Sequence, residues 1–278
     1  MSSFLVYTDI DHTMLGRGGN ARGISKTVRT YESLGVPVIP VTAKSITEIV
    51  AVREMLGLGS SGRLIAIAES GAAVYATEAI LPYADGVKKV GDLLLEYVKL
   101  YPEEITLEEI DRAAQRAFNE AGCNPKPRDV SEMDPQELSA ITGLPLNLAR
   151  LIPVRDHMKI YFSRDRACKE RVKEILESRG LYVGLGRNFI HVGAHRGKLY
   201  AANWLKTSTP YLSHRGVIAF GDSEPDRGLL EEADIPVVVP PEEGSPLRLA
   251  RGDYMIAPGP PPEGWVSASE IIILNYII

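Results

Sequence analysis

The chain has 278 residues, of which 45% are hydrophobic, so it is long enough to bury a substantial core as one large domain or two smaller ones. Its formal net charge is −5. An acidic chain has no general attraction to polyanions, and the sequence has no basic patch that would override this charge. We therefore expect no nucleic-acid partner.

The start of the chain lacks the basic first residues and the long apolar run of a signal peptide. The most apolar stretch, residues 271–278, is far shorter than the roughly 20 residues that cross a bilayer, so we interpret it as a docked C-terminal element. Cys123 and Cys168 form no CxxC pair, and a chain of this length has no need of a disulfide. We therefore expect a cytoplasmic protein with no membrane partner, and the sequence leaves the oligomeric state open.

Apolar runs alternate with helical patterns at both ends of the chain. The first part reads as strand 4–8, helix 27–34, strand 36–41, helix 47–56 and strand 64–68. Gly35 and Gly57 stand where C-terminal helix caps belong. The alternation returns as helix 199–205, strand 217–220, helix 227–232 and strand 236–239. Together the two ends predict one doubly wound, parallel α/β sheet.

Between these ends the pattern changes to long charged helices and a few strands. The helices are predicted at residues 103–121 and 166–178, and the strands at 158–162 and 181–184. We interpret residues 82–188 as an inserted α+β cap domain, and residues 1–81 and 189–278 as the α/β core. A GxGxxG run at residues 57–62 follows a helix and precedes a strand, which is the reverse of the dinucleotide-binding order, so we expect a turn there.

Two carboxylates, Asp9 and Asp11, follow the first strand. They would lie at the carboxyl edge of the sheet, where ligands bind in such folds. Paired acids suit phosphoryl transfer, because one can attack as a carboxylate while the other, with a raised pKa, protonates the leaving oxygen. Asp9 would be the nucleophile and Asp11 the acid and base. The alternative is an ordinary solvated turn after a strand.

Hydroxyl and basic groups are predicted at the same edge. Thr42 and Lys44 follow the second strand; Thr42 could hold a phosphoryl oxygen, or it could cap the next helix. Arg196 and Lys198 precede the helix at 199–205. Arg196 and Lys198, together with Lys44, could bind the phosphate; alternatively, Arg196 and Lys198 could be surface charges at the start of a helix.

Asp222 and Asp226, in the run GDSEPD, follow a later core strand. Mg²⁺ takes hard oxygen ligands and is usually held by one or two protein carboxylates plus water. Asp9 and Asp222 would supply these, with Asp226 as a further ligand or as an acid that orients the site; taken alone, the run is also compatible with a helix cap. Four carboxylates at one edge would repel one another without a cation. The predicted Mg²⁺ site comprises Asp9, Asp11, Asp222 and Asp226.

In their order, DxDxT, a strand-end Thr, a basic segment and GDSxxD resemble the haloacid dehalogenase superfamily, in the type IIB group whose cap is inserted between the second and third motifs. Within this group the chain is most similar to the mannosyl-3-phosphoglycerate phosphatases. The likeness rests on residues 41–44, 69–71, 137–144, Arg155 and 188–193.

The resemblance implies Mg²⁺-dependent hydrolysis of mannosyl-3-phosphoglycerate, a small phosphorylated sugar glycerate, to the compatible solute mannosylglycerate through an aspartyl phosphate. It implies that Thr42 binds phosphate and that Asp222 binds the metal. The residues implied to face the sugar or the glycerate are Glu69, Ser70, Gly71, Arg155 and His191. The phosphate-binding lysine of the family precedes a glycine, a position held here by Arg196, with Lys198 two residues later. Either residue could therefore bind the phosphate.

Other functions stay open at this point. The chain could act on another sugar phosphate, or it could be a phosphotransferase similar to phosphomannomutases, which return the phosphoryl group to a sugar. An inactive binding protein is disfavoured, because all four acids are present.

Overall fold

The structure is a computed structural model that describes residues 4–213 and 215–278, so the first three residues of the predicted core lie outside the described residues. The strands are β1 (Phe4–Thr8), β2 (Val38–Pro40), β3 (Ile65–Ala68), β4 (Ala73–Ala76), β5 (Gly86–Val90), β6 (Leu93–Lys99), β7 (Arg128–Asp129), β8 (Met158–Phe162), β9 (Tyr182–Leu185), β10 (Phe189–Gly193), β11 (Gly216–Gly221), β12 (Ile235–Val238) and β13 (Met255–Ile256). The α-helices are α1 (Ile24–Ser33), α2 (Ile46–Leu56), α3 (Leu107–Glu120), α4 (Pro135–Thr142), α5 (Leu146–Ala149), α6 (Arg166–Glu177), α7 (Lys198–Ser208), α8 (Pro210–Ser213), α9 (Arg227–Glu232) and α10 (Glu263–Ile272).

The central sheet consists of five parallel strands in the order β13-β12-β11-β1-β2. Side chains of β1 alternate between two buried faces. Val6 packs in a cluster with α1, α2 and α10, whereas Leu5 and Tyr7 pack in a second cluster with α7 and α9. Burial on both faces explains why the core strands are continuous apolar runs. The predicted doubly wound α/β fold is confirmed.

Beyond β2 the sheet continues with antiparallel strands. β3 adjoins the end of β2 through one parallel bridge, between Val41 and Ile67. From β3 onward the order is β3-β4-β6-β5, and each pair is antiparallel. The strand predicted at residues 64–68 is therefore present. Strands β4, β5 and β6 were not predicted from the sequence.

A separate antiparallel sheet has the order β7-β8-β10-β9. Helices α3 and α6 cover one of its faces, where Phe118 and Val172 are buried against Tyr161 of β8. This is an α+β arrangement, as expected for the inserted region. The predicted boundaries at residues 82 and 189 cut across the two antiparallel sheets, because β6 pairs with β4 and β10 pairs with β8. The division into core and cap stays a prediction, and these pairings favour boundaries near residues 100 and 194.

The expectation of two unpaired cysteines is wrong. Cys123, just after α3, and Cys168, in α6, form a disulfide across 45 residues of sequence. The packing of the two helices brings them together, and no local spacing motif indicates such a pair. The cytoplasmic location stays a prediction, and it can no longer be argued from free cysteines.

Glycines end the first two helices as predicted. Gly57 closes α2 in the left-handed conformation, with φ of 75°, and Gly35 follows α1 with φ of 74°. The GxGxxG run is a turn between α2 and β3. At the C-terminus, Trp265 and Ile272 of α10 are buried against the core, although the last residues are largely exposed. Of the helices in the described ranges, none is both long and apolar enough to cross a membrane.

Candidate active site

The ends of β1 and β11 bring three acids together. The strands are adjacent and parallel, and the backbone N–H of Asp9 donates to the carbonyl of Phe220 at 3.0 Å. Asp222 therefore leaves the sheet beside Asp9, and Thr13 Oγ1 donates to Asp222 Oδ1 at 3.2 Å. Single carboxylate oxygens of Asp9, Asp222 and Asp226 lie within 4.8 Å of one another. Asp11 is not part of this cluster.

Lys198 joins two of these acids from the first turn of α7. Its Nζ donates to Asp9 Oδ1 at 2.8 Å and to Asp226 Oδ1 at 2.7 Å. The three side chains are buried, with Asp226 fully inaccessible and Lys198 only 4% exposed. Burial alone would lower the pKa of Lys198, but Asp226 and Asp9 together raise it above its ordinary value. Lys198 is therefore a permanent positive charge in this site.

Arg196 lies outside the site, although it is only two residues from Lys198. Its side chain is exposed, and the guanidinium carbon lies 5.1 Å from the centre of the Tyr200 ring. Of the two basic candidates, the structure brings only Lys198 to the acids. The alternative of surface charges at a helix start describes Arg196.

The acidic cluster has the donor set that a hard divalent cation prefers. Asp226 is already saturated: beyond Lys198, its Oδ2 accepts from the Ser223 hydroxyl at 3.1 Å and from the backbone N–H groups of Asp222 and Ser223 at 3.3 Å. Among the described residues, none donates a hydrogen bond to Asp9 Oδ2 or Asp222 Oδ2. These two oxygens fit a magnesium site, with Asp226 in an orienting position.

The pKa values also indicate a need for positive charge. Burial raises the pKa of Asp9 to about 6; Lys198 opposes this shift, while Asp226 and Asp11 add to it. Burial, together with Asp226 and Asp9, raises the pKa of Asp222 well above its ordinary value. A cation between the two carboxylates would favour their ionised forms.

Asp11 instead faces Lys44. Their closest atoms, Asp11 Oδ2 and Lys44 Nζ, are 3.0 Å apart, and the Asp11 side chain is 41% exposed. Burial acts to raise the pKa of Asp11, but the ammonium of Lys44 outweighs it, so this pKa is lowered. The expectation of a raised pKa at the second acid is wrong for this arrangement. The ion pair keeps Asp11 ionised.

Thr42 is buried at the end of β2, and its hydroxyl accepts from the backbone N–H of Lys44 at 3.3 Å. It does not cap α2. Ser45 holds that position, in a capping box with Glu48: Ser45 Oγ accepts from the Glu48 N–H, and Glu48 Oε2 accepts from the Ser45 N–H at 2.9 Å. Thr42 thus lies at the sheet edge beside Lys44.

Two residues expected to face the substrate, Glu69 and Arg155, bind protein groups, and their contact with substrate stays a prediction. Glu69 is fully buried, and its carboxylate accepts from the backbone N–H groups of Asp156, His157 and Met158 at 2.9–3.0 Å. Burial raises the pKa of Glu69 to about 7, although Arg155 and these N–H groups oppose the shift. Arg155 donates to the carbonyls of Ala43 at 2.6 Å and Ile152 at 2.7 Å, and also pairs with Glu48. Both residues join the segment before β8 to the core.

The other three residues that were expected to face the substrate, Ser70, Gly71 and His191, lie where the inserted region meets the core. Ser70 has φ of 59° and is hydrogen-bonded to the side chain of Tyr182. Gly71 is packed against the residue preceding α7, as a Cβ there would lie 2.4 Å from the carbonyl oxygen of Gly197. His191 is in β10, where burial, followed by the charge of Arg155, lowers its pKa to about 3. His191 is therefore a neutral imidazole.

Glu48 and Tyr182 also lie at this site, although neither was predicted from the sequence. The SxxE spacing from Ser45 to Glu48 is a capping-box signature and could have placed Glu48 in the first turn of α2. Nothing in the sequence indicates that β9 brings Tyr182 against Ser70, because that contact depends on how the inserted sheet meets the core.

Residues 6–247 match the family of haloacid dehalogenase-like hydrolases. The chain belongs to this family. It is 30% identical over 274 residues to a mannosyl-3-phosphoglycerate phosphatase from Aeropyrum pernix, covering 97% of this chain and 95% of the relative. A glucosyl-3-phosphoglycerate/mannosyl-3-phosphoglycerate phosphatase from Persephonella marina is 23% identical over 240 residues, covering 85% of this chain and 84% of the relative. The predicted family is confirmed.

The solved structures agree with this fold. A phosphatase of the haloalkanoate (HAD) superfamily from Bacteroides thetaiotaomicron matches with a TM-score of 0.65 and 13% identity, covering 100% of this chain and 96% of that chain. At this identity the comparison concerns the fold alone. Because the match extends over the full chain, it includes the inserted α+β region as well as the α/β core.

Proposed function

We propose that this phosphatase hydrolyses mannosyl-3-phosphoglycerate, with Mg²⁺ held by Asp9 and Asp222. The observation that carries the chemistry is the buried ammonium of Lys198, 2.8 Å from Asp9 and 2.7 Å from Asp226. An attacking carboxylate, a cation that can bind phosphate and an acid that orients the site are thereby combined at one edge of the sheet. The A. pernix relative supports the substrate, since the likeness extends over 97% of this chain.

In the proposed reaction, Asp11 first takes up a proton from solvent in the substrate complex. The Asp9 carboxylate then attacks phosphorus, and the bond from phosphorus to the glycerate oxygen breaks as Asp11 donates that proton to the oxygen. Asp11 then takes a proton from water as the water attacks the aspartyl phosphate. Phosphate leaves, and the Asp9 carboxylate is regenerated. Lys198, Lys44 and Thr42 hold the phosphoryl oxygens. Bound Mg²⁺ would supply positive charge against the phosphate and the carboxylates.

The lowered pKa of Asp11 is compatible with this role. Lys44 lies 3.0 Å from Asp11 and 3.6 Å from Glu48, so its ammonium is shared between two carboxylates. A phosphate group that attracts this ammonium would weaken its hold on Asp11. The proton affinity of Asp11 would then rise when substrate is bound.

The test is phosphate release by the purified protein with Mg²⁺, on mannosyl-3-phosphoglycerate, glucosyl-3-phosphoglycerate, mannose phosphates and 3-phosphoglycerate. We expect kcat/KM to be highest for the mannosyl compound, by about 100-fold over 3-phosphoglycerate, or about 2.7 kcal/mol of transition-state discrimination. Asp9→Asn should abolish turnover, because an amide is not a nucleophile for phosphorus. It should also retain the fold.

Three other results of these assays would contradict parts of the proposed function. Equal rates on all sugar phosphates would reject the named substrate but leave the phosphatase chemistry in place. Turnover that requires a sugar bisphosphate activator and returns the phosphoryl group to a sugar would favour the phosphomannomutase-like alternative. Full activity in Asp9→Asn would reject Asp9 as the nucleophile.

A further inference from the structure

Glu48 is a buried carboxylate that contacts Lys44, the residue paired with Asp11, the proposed acid. It is in the first turn of α2 and is only 4% exposed. Its Oε1 is 3.6 Å from Lys44 Nζ, and its Oε2 is 2.5 Å from Arg155 Nη2. The proposed reaction does not use Glu48 directly, because Lys44 separates it from Asp11.

Four side chains of alternating charge therefore form a continuous row from Arg155 through Glu48 and Lys44 to Asp11. Arg155 lies in the segment just before β8. The other three residues belong to the core: Asp11 follows β1, Lys44 lies between β2 and α2, and Glu48 is in the first turn of α2. Within the described ranges, Glu48 is the only carboxylate that pairs with both Lys44 and Arg155. The row connects the inserted region to the proposed acid.

The charges of this row depend on one another. Burial acts to lower the pKa of Lys44, but Asp11 and Glu48 outweigh it, so this pKa is raised, while nearby Arg155 opposes the rise. If Glu48 lost its charge, Lys44 would keep one carboxylate partner and would still face the positive charge of Arg155. Removing one member of a buried ion pair leaves the others poorly compensated. The ammonium of Lys44 would then lose its fixed position.

We propose that Glu48 is a positioning residue: it fixes Lys44 and, through Lys44, holds Asp11 where it can give a proton to the leaving oxygen. Arg155 completes the row only when the segment before β8 is docked on the core, so the position of Asp11 depends on that docking. The inference rests on the proposed function, since it takes Asp11 as the acid.

The test compares two leaving groups in Glu48→Gln. Gln keeps the size of the side chain, and its carbonyl oxygen can still accept from the Ser45 N–H. An alkyl phosphate such as mannosyl-3-phosphoglycerate needs a proton on its leaving oxygen, whereas 4-nitrophenyl phosphate releases a stable anion. General acid catalysis typically contributes 10²–10⁴-fold, so a misplaced acid should lower kcat/KM about tenfold for the alkyl phosphate. For the aryl phosphate we expect a loss of less than about threefold, because its departure needs little acid catalysis.

Glu54→Gln is the matched control. Glu54 lies in the same helix, its side chain is 89% exposed, and within the described ranges its carboxylate has one ion-pair partner, Arg53 at 3.8 Å. This variant should leave both kcat/KM values unchanged. If Glu48→Gln does not fold, as judged by circular dichroism, Arg155→Gln replaces it. Without Arg155, Glu48 loses the partner that holds it in the row, so it fixes Lys44 less well and the same dependence of kcat on the leaving group is expected.

Equal losses on the two substrates, or no loss on either, would overturn the positioning role, because a misplaced acid slows the departure of an alkyl leaving group far more than that of 4-nitrophenolate. The assay of the wild type distinguishes a failure of the positioning role from a failure of the proposed function. If the wild type does not hydrolyse the mannosyl compound, the substrate proposal fails, and the comparison is made with any alkyl phosphate that it does hydrolyse. If no alkyl phosphate is hydrolysed, the positioning role is rejected as well.

Discussion

Lys198 and Arg196 offer a matched test at the scale of single residues. Both are basic and lie two positions apart, but only Lys198 contacts Asp9 and Asp226. We expect Lys198→Met to lower kcat/KM about 100-fold or more, because a fixed cation at a transferring phosphoryl group is among the strongest catalytic contributions. Arg196→Met should change it less than about twofold, since exposed side chains away from such contacts have little effect. The measurement is phosphate release at saturating Mg²⁺.

Thermal unfolding of both variants provides the control. Removing Lys198 leaves two buried carboxylates facing each other, so some loss of stability is expected without Mg²⁺ and a smaller loss with it. If Arg196→Met lost as much activity as Lys198→Met at equal folded fraction, the assignment of the phosphate-binding role to Lys198 would be rejected.

The acids of this site could be predicted from the sequence because their positions depend on topology. Asp9 and Asp222 each follow a strand, and parallel neighbours bring strand ends to one edge. The orientation of long side chains could not be predicted in this way. Arg155 and Glu69 were expected to face a ligand, but they bind backbone and side-chain groups where the inserted region meets the core. Sequence spacing carries no information on that contact.

At the scale of elements, Gly71 links the turn after β3 to the start of α7. Its φ is 100°, and an added Cβ would lie 2.4 Å from the Gly197 carbonyl oxygen and 3.1 Å from the Lys198 nitrogen. We expect Gly71→Ala to lower the free energy of unfolding by about 2 kcal/mol or more, since it combines backbone strain with a steric clash. It should also reduce activity, because α7 carries Lys198. Urea unfolding and phosphate release measure the two effects.

Gly62→Ala separates strain from the clash. Gly62 has a similar φ of 89°, but a Cβ there would have no atom within 4 Å. This variant should therefore lose less stability than Gly71→Ala and keep full activity. Equal effects of the two substitutions would mean that the close approach to α7 has no importance of its own.

Two strands with a clear apolar run were predicted with the correct bounds. The bounds of β1 and β8 agree with the prediction, as both are mainly apolar runs, with Lys159 as the one charged residue in β8. β5 was missed, since it is an edge strand in which Lys88 and Lys89 interrupt the apolar pattern. β10 was assigned to the core, although it pairs with β8 and β9. A short strand has no sequence feature that states which of two sheets it joins.

At the scale of the whole molecule, the disulfide between Cys123 and Cys168 should contribute to stability. It closes a loop of 45 residues, and cross-links of this length typically stabilise by about 2–4 kcal/mol. We expect the double variant Cys123→Ala, Cys168→Ala to lose about this much free energy of unfolding in urea. Its kcat should be unchanged, because both cysteines pack among α3, α6 and the strands beneath them.

The reduced wild type is the control for this prediction, because it keeps both side chains and lacks only the covalent bond. It should lose a similar amount of stability. If the oxidised and reduced proteins unfolded at the same urea concentration, the effect of the double variant would be due to lost packing and not to the cross-link.

The same bond has a consequence for chain integrity. Between its two cysteines lie β7, α4, α5 and β8, together with the segment that Glu69 and Glu48 hold against the core. A single protease cut anywhere in this ring would leave both fragments covalently attached to each other. The nicked molecule would gain only the mass of one water per cut, and only cleavage combined with reduction would separate the pieces.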